Sequence, residues 1–341
     1  MKKTIILCTC ILLVTVLLLG ALQAVLVPKY MTDFREGALI GEYYGSSGGN
    51  DVIFVGDCEI YESFTPPTLW EEYGITSYVR GSAQQLIWQS YYLLEEMLET
   101  ETPRVVVYNV YAMKYGTPQD EAANRKTLDG MNWSLSKFNS IRASMTEEES
   151  FLSYVFPILR FHSRWNQLTR EDFEYLFKKD AVSHNGYLMN TGISPKPTDP
   201  IQVPLPDEYE LPAICFDYLD KMQALCREKG AELVLVKAPT NTRGYYWYDE
   251  WDEQIVSYAE ENGLDYYNFI PLCDEIGIDW STDTHDKGAH LNVYGAEKLT
   301  SYFGNILKTE YGVEDRRTDT KLNELWAARL ERYQNERNGK S

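Results

Sequence analysis

The 341-residue chain carries a formal net charge of −19, with 44% hydrophobic and 13% aromatic residues. That content suits a packed body with one large core or two modest ones and excludes a disordered chain. The acidic balance argues against nucleic acid as a partner, because phosphate binding wants clustered Lys and Arg. No glycine-rich phosphate loop or dinucleotide-binding pattern is present, so no cofactor is implied.

Met1, Lys2 and Lys3 precede an unbroken apolar run from Ile5 to Val27, closed by Pro28 and Lys29. The run is long enough to span a hydrocarbon layer ~30 Å thick at ~1.5 Å per residue. A cleavable signal has one candidate end at Ala21–Ala24, but Leu22 is large where a small residue is preferred. Residues 1–28 are therefore expected to be a cytoplasmic stub and an uncleaved transmembrane anchor. The two lysines at the front place the N-terminus in the cytoplasm and the body outside the cell membrane. Cys8 and Cys10 fall inside the anchor. The other four cysteines are too few for a disulfide scaffold, and Cys215 and Cys226 read as buried thiols on one helix.

Residues 29–50 read as a linker, with Gly45–Asn50 as its flexible end. Strands are expected at Asp51–Gly56, Ile75–Val79, Val105–Val110, Glu232–Lys237 and Asp265–Phe269. Helices are expected at Pro66–Tyr73, Ser82–Thr100, Ala213–Lys229, Trp251–Glu261 and Tyr294–Lys308. This alternation over 51–310 predicts an α/β domain with a parallel sheet covered on both faces. Residues 111–210, aromatic-rich and with a proline-rich run at 195–206, interrupt the alternation as an insertion. It reads either as a lid or substrate-facing subdomain, or as helices that only pack on the sheet. Residues 311–341 form a charged tail with a helix-like run, Leu322–Arg337, expected to be a solvated face or a partner contact.

Ligands of an open parallel sheet bind beyond the carboxyl ends of its strands. There the sequence places Asp57 and Cys58, then Arg80, Gly81 and Ser82, then Asn109, then Lys237–Thr240, and finally Asp283, Asp286 and His290. A thiol nucleophile needs a base within hydrogen-bond reach and a third group to orient that base. Cys58, His290 and Asp286 or Asp283 have that layout. Bland readings stand beside it: Cys58 as a packing thiol, His290 as a structural histidine, Gly81 as a turn residue and Asn109 as a strand-end cap. A metal held by His285, His290, Asp283 and Asp286 fits no standard zinc spacing. His162 and His184 have no partner pattern and read as solvated or structural.

Val55, Gly56, Asp57 and Cys58, together with the run Asp286–Asn292 around His290, resemble the first and last motif blocks of the SGNH/GDSL hydrolase superfamily. The resemblance spans roughly residues 51–310. It implies a flavodoxin-like three-layer sandwich with a mostly parallel five-stranded sheet. It further implies Cys58 as nucleophile, His290 as base, Asp286 (or Asp283) as orienter, and Gly81 and Asn109 as oxyanion or substrate contacts. Three features depart from the family pattern: Cys58 replaces the usual Ser, Val107–Val110 lacks Gly-x-Asn-Asp, and Asp286 stands four residues before His290 rather than three.

With the anchor and exported body, the chain further resembles the branch that modifies cell-envelope polymers, such as alginate O-acetylation and lipoteichoic acid D-alanylation proteins. That implies an acyl-ester hydrolase or O-acyltransferase. Its partners would be an acylated carbohydrate or envelope polymer and a membrane-bound acyl-donor protein. The alternative is a non-catalytic carbohydrate-binding or assembly protein that keeps the fold, since Tyr and Trp in the insertion can stack on sugar rings.

Overall fold

The structure, a computed structural model, describes residues 2–30, 34–35, 37–46, 48–179, 181–195, 206, 208–241 and 247–340. Five strands form one fully parallel sheet: β1 (Val52–Gly56), β2 (Ser77–Gly81), β3 (Val105–Asn109), β4 (Glu232–Lys237) and β5 (Asp265–Asn268), in the order β2-β1-β3-β4-β5. This is the flavodoxin-like order, and its direction of growth reverses between β1 and β3.

The strands read as continuous apolar runs because both faces are covered. Val52, Phe54, Val105, Val107, Val234 and Val236 face one core. Against them lie α3 (Pro66–Tyr73) and α12 (Val293–Thr309), which carry Leu69, Leu299 and Phe303. The alternate residues Ile53, Val55, Val106, Tyr108, Leu233 and Leu235 face the other core, covered by α4 (Ile87–Met97), α10 (Ala213–Lys229) and α11 (Asp249–Asn262). The expected α/β sandwich is thus the observed one. Helix α1 (Lys2–Leu26) leads into the body, and only Val25 and Leu26 of it are buried.

Several elements differ from the sequence expectation: residues 29–50, expected as a linker, pack on the body with Leu39, Ile40 and Tyr43 buried, and the helix expected from Ser82 begins at Ile87. Strand β2 runs two residues later than expected, through Arg80 to Gly81, because the Arg80 charge is neutralised inside the protein. Its guanidinium meets Glu96 at 2.8 Å and the Tyr44 hydroxyl at 2.7 Å, and lies over the Tyr43 ring. The tail is not a solvated appendage. Helix α13 (Thr320–Arg337) buries Trp326, stacked on Trp70 at 5.3 Å, and Tyr333 one heptad later. A charge-rich helix hides a narrow apolar stripe that its composition obscures.

The insertion divides its labour. Helices α5 (Glu121–Leu128) and α6 (Leu135–Ser144) pack behind α4 through Leu93, Leu128, Met131 and Ile141. The short helices α7 (Phe151–Val155), α8 (Ile158–Phe161) and α9 (Arg170–Glu174) follow, the last two reaching the end of α1. Residues 183–194 then return past β2, where Val79 N–H donates to Asn185 O at 2.9 Å. Most of the proline-rich run at 195–206 lies outside the described residues.

Candidate active site

The first turn of the site is built by close backbone approach. Gly56 ends β1 with φ +154°, and a Cβ there would stand 3.1 Å from the Cβ of Asn109. Gly81, its register partner on β2, would place a Cβ 2.8 Å from Gly56 O and 2.8 Å from the Ile60 side chain. Only glycines let the two strand ends and helix α2 (Cys58–Ser63) meet so closely. Asp57 caps α2, accepting from Glu59 N–H at 3.2 Å. Cys58 is therefore the first helical residue, and its N–H has no carbonyl four residues back to receive it.

The second part is the loop from Asp283 to Asn292. Positive φ at Lys287 and Gly288 turns it sharply, and Thr284 Oγ1 accepts from Gly288 N–H at 2.8 Å. Asp286 grips His290 twice: Oδ1 accepts from the backbone N–H at 2.8 Å, and Oδ2 lies 2.6 Å from Nδ1 of the ring. The Cys58 thiol lies close enough to the same imidazole for each group to shift the other's protonation. Both Cys58 and His290 are buried. The structure thus brings Cys58, His290 and Asp286 together at one edge of the sheet, with Asp286 holding the ring. Asp283 points elsewhere, bound to Lys298 at 2.6 Å and to Asp279 N–H at 2.8 Å.

The end of the insertion braces this loop. Ser194 N–H donates to Thr284 O and Lys287 N–H to Ser194 O, each at 2.9 Å, and Val293 N–H donates to Asn190 O at 2.8 Å. Asn292 caps α12 and donates its amide to Gly192 O at 2.9 Å. From the loop after β4, Asn241 N–H donates to Gly288 O at 2.7 Å. His290 is held from both sides of the switch point.

Asn109 departs from its expected role. Its amide donates to Asp57 Oδ1 and to Glu59 Oε2, both at 3.1 Å, while its Oδ1 accepts from Ala238 N–H at 3.1 Å. With both amide hydrogens taken, Asn109 supports the floor of the site rather than an oxyanion. The floor also holds a buried ion pair, Lys237 Nζ to Glu59 at 2.7 and 2.8 Å. Arg80 and Ser82 face other neighbours: Arg80 pairs with Glu96, and the Ser82 hydroxyl lies 2.6 Å from that of Thr127.

Sequence reasoning missed Glu62. It stands one helical turn beyond Cys58 on α2, a spacing that puts both on one face. Its buried carboxylate lies 2.6 Å from His285 Nε2 and 3.8 Å from His290 Nδ1. Glu62, His285 and His290 offer ligand atoms within 4.8 Å of one another, a donor set of zinc type. Within this group His285 already bonds Glu62, and His290 Nδ1 bonds Asp286. His162 is exposed, and His184 is pinned to Glu336 of α13 at 2.9 Å.

The electrostatics follow from burial among acids. Burial, then Asp57, push the Cys58 thiol up to about 11, against a smaller downward pull from His290. Burial works against charging His290, but Glu62, the Asp286 hydrogen bond and Cys58 together raise it well above the usual histidine range. Burial disfavours the charged form of Asp286, yet the hydrogen bond and charge of His290 hold it below the usual carboxylate value. Asp57, wholly enclosed and beside Glu59, is pushed up to about 7. The site pairs a neutral thiol with a strongly basic, oriented imidazole.

No family model and no curated protein matches the sequence. Among solved structures, the chain is similar to a protein described as an acylhydrolase from Bacteroides fragilis, at 10% identity and a TM-score of 0.39, covering 83% of this chain and 100% of that one. It is similar to a GDSL-like lipase from Bacteroides thetaiotaomicron at 11% identity and a TM-score of 0.37, covering 79% and 95%. A third is described as a lipolytic protein of the G-D-S-L family, from Desulfitobacterium hafniense, at 12% identity and a TM-score of 0.35, covering 76% and 100%. Likeness at that level carries no chemistry with it; the site rests on the side chains described above.

Proposed function

We propose that this chain is a membrane-anchored, exported SGNH-like enzyme acting on an acyl ester of an envelope carbohydrate or polymer. The observation that carries the reading is the buried His290 imidazole, held through Nδ1 by Asp286 at 2.6 Å and placed beside the buried Cys58 thiol. That is the arrangement a base and its orienter take beside a nucleophile.

In the reaction, the Cys58 sulfur attacks the ester carbonyl while His290 takes the thiol proton. The oxyanion is met by the N–H of Cys58 at the start of α2 and by the backbone at Gly81, each such donor being worth ~3 kcal/mol in the transition state. The tetrahedral intermediate collapses, the alcohol leaves with the proton from His290, and a thioester remains on Cys58. A water or a sugar hydroxyl then attacks the thioester, gives its proton to His290, and the thiol is released. Water gives hydrolysis and the sugar gives transfer; both share the intermediate. A membrane-bound acyl-donor protein would supply the acyl group in the transfer reaction.

One observation favours a second reading, a carbohydrate-binding or assembly protein without turnover: the Cys58 thiol is buried and pushed up to about 11. Esterase assays on the full-length protein with p-nitrophenyl acetate separate the two. The enzyme reading expects release of p-nitrophenol by the native protein and none above background by Cys58→Ala. Equal rates for both would leave the binding reading.

A further inference from the structure

Among the described residues, seven of the thirteen exposed large apolar side chains outside α1 fall in one stretch of 29 residues. Leu152, Phe156, Leu159, Trp165, Phe173 and Phe177 all lie in the stretch 151–179, with Trp165 at 73% and Phe177 at 91% exposure. Soluble surfaces rarely gather such a group unless something covers it. The same stretch holds five Lys and Arg against three Asp and Glu, within a chain whose net charge is −19.

Its position identifies the cover. Helix α1 is 25 residues long and apolar enough to cross a membrane. At ~1.5 Å per residue such a helix exceeds a ~30 Å hydrocarbon layer by several ångströms, so its last turn lies at headgroup level. The carbonyls of that turn, which no helical N–H can satisfy, are taken by the body. Arg35 donates to Ala24 O at 3.0 Å and also to Val27 O, and Arg164 donates to Leu26 O at 2.6 Å. Asp172 on α9 then binds Arg35 at 2.9 Å and Arg164 at 3.4 Å. Lys29 reaches Glu171 at 2.8 Å. The stretch is thereby fixed to the outer end of α1 by charge-assisted bonds, the Arg35–Asp172 pair among them buried.

We infer that residues 151–179 form an interfacial platform that lies in the headgroup layer of the same bilayer that α1 crosses. Its aromatic and aliphatic side chains dip toward the acyl chains, and its exposed Lys178 and Lys179 meet anionic headgroups. The rest of the body, strongly acidic, is held off that surface. The inference rests on α1 being retained in the membrane.

Full-length protein is reconstituted in vesicles of phosphatidylglycerol and phosphatidylcholine that contain a lipid with a diazirine near the headgroup end of its acyl chain. After illumination, labelled peptides are mapped by mass spectrometry. Label is expected on α1 and on peptides from 151–179, several times above that on α10 and α11, where Ile214 and Val256 are also exposed. Label on α1 with only background on 151–179 overturns the platform while leaving the anchor intact. No label on α1 overturns the anchoring premise, and the platform falls with it. In Phe173→Ser/Phe177→Ser, labelling around residues 170–179 is expected to drop while that of α1 persists; undiminished labelling also overturns the assignment.

Discussion

The Glu62 carboxylate lies 3.8 Å from Nδ1 of His290, on the ring nitrogen that Asp286 holds at 2.6 Å. Two carboxylates on one imidazole overcome the cost of burying it and raise its affinity for a proton. A general base works only when deprotonated, so the rate should climb with pH as His290 loses its proton at its raised value. Glu62→Gln removes the largest upward influence on the ring. Its pH profile of kcat/KM for an activated ester should keep its shape, with the rising limb moved to lower pH. A limb that stays in place would show that Glu62 does not tune His290. By the same linkage, the stability that protonated His290 contributes is full below ~6.5 and is lost as pH rises through the folded value.

Asp286 and Asp283 are only three residues apart, yet their duties differ. Asp286 holds the His290 ring, whereas Asp283 ties the loop to Lys298 and to Asp279. Asp286→Asn should lower kcat by about ten-thousand-fold, the loss seen when a triad loses its orienter and the ring its tautomer. Asp283→Asn should lower the melting temperature while retaining most of kcat in the folded fraction. Steady-state kinetics and thermal melts of the two variants decide this, and the reverse pattern would exchange their roles.

Beneath the thiol, Lys237 and Glu59 form an ion pair with side chains 0% and 1% exposed. Breaking such a pair from one side strands a buried charge. Lys237→Met should therefore cost ~3–5 kcal/mol in denaturant unfolding, and adding Glu59→Leu should restore much of that loss. A double variant no more stable than Lys237→Met would mean that the pair is not the source of the loss.

Much of this was legible in the chain. Continuous apolar runs such as Val105–Val107 declared buried parallel strands, and Gly230 and Gly263 marked the ends of α10 and α11 where the left-handed caps stand. The strand-end rule gathered Cys58, Gly81, Asn109 and His290 at one edge, and the structure places them there. What stayed hidden depends on partners distant in sequence. Arg80 looked like loop because its neutralising Glu96 lies on α4. Asn109 looked like an oxyanion donor because nothing local shows that Asp57 and Glu59 claim its amide. Trp326 looked solvated because its stacking partner, Trp70, is some 250 residues away. Glu62 was within reach of local reasoning, one turn beyond Cys58 on a short helix.

The account turns on a covalent bond to sulfur. Full-length protein is mixed with p-nitrophenyl acetate, quenched in acid within seconds, and analysed by intact-mass and peptide mass spectrometry. The account predicts a single acetyl adduct on the peptide containing Cys58, labile to neutral hydroxylamine as a thioester is. It predicts accumulation of the adduct when the acceptor water or sugar is slow, and its absence in Cys58→Ala. Turnover of the ester with no adduct on Cys58, or an adduct that persists unchanged in Cys58→Ala, would contradict it.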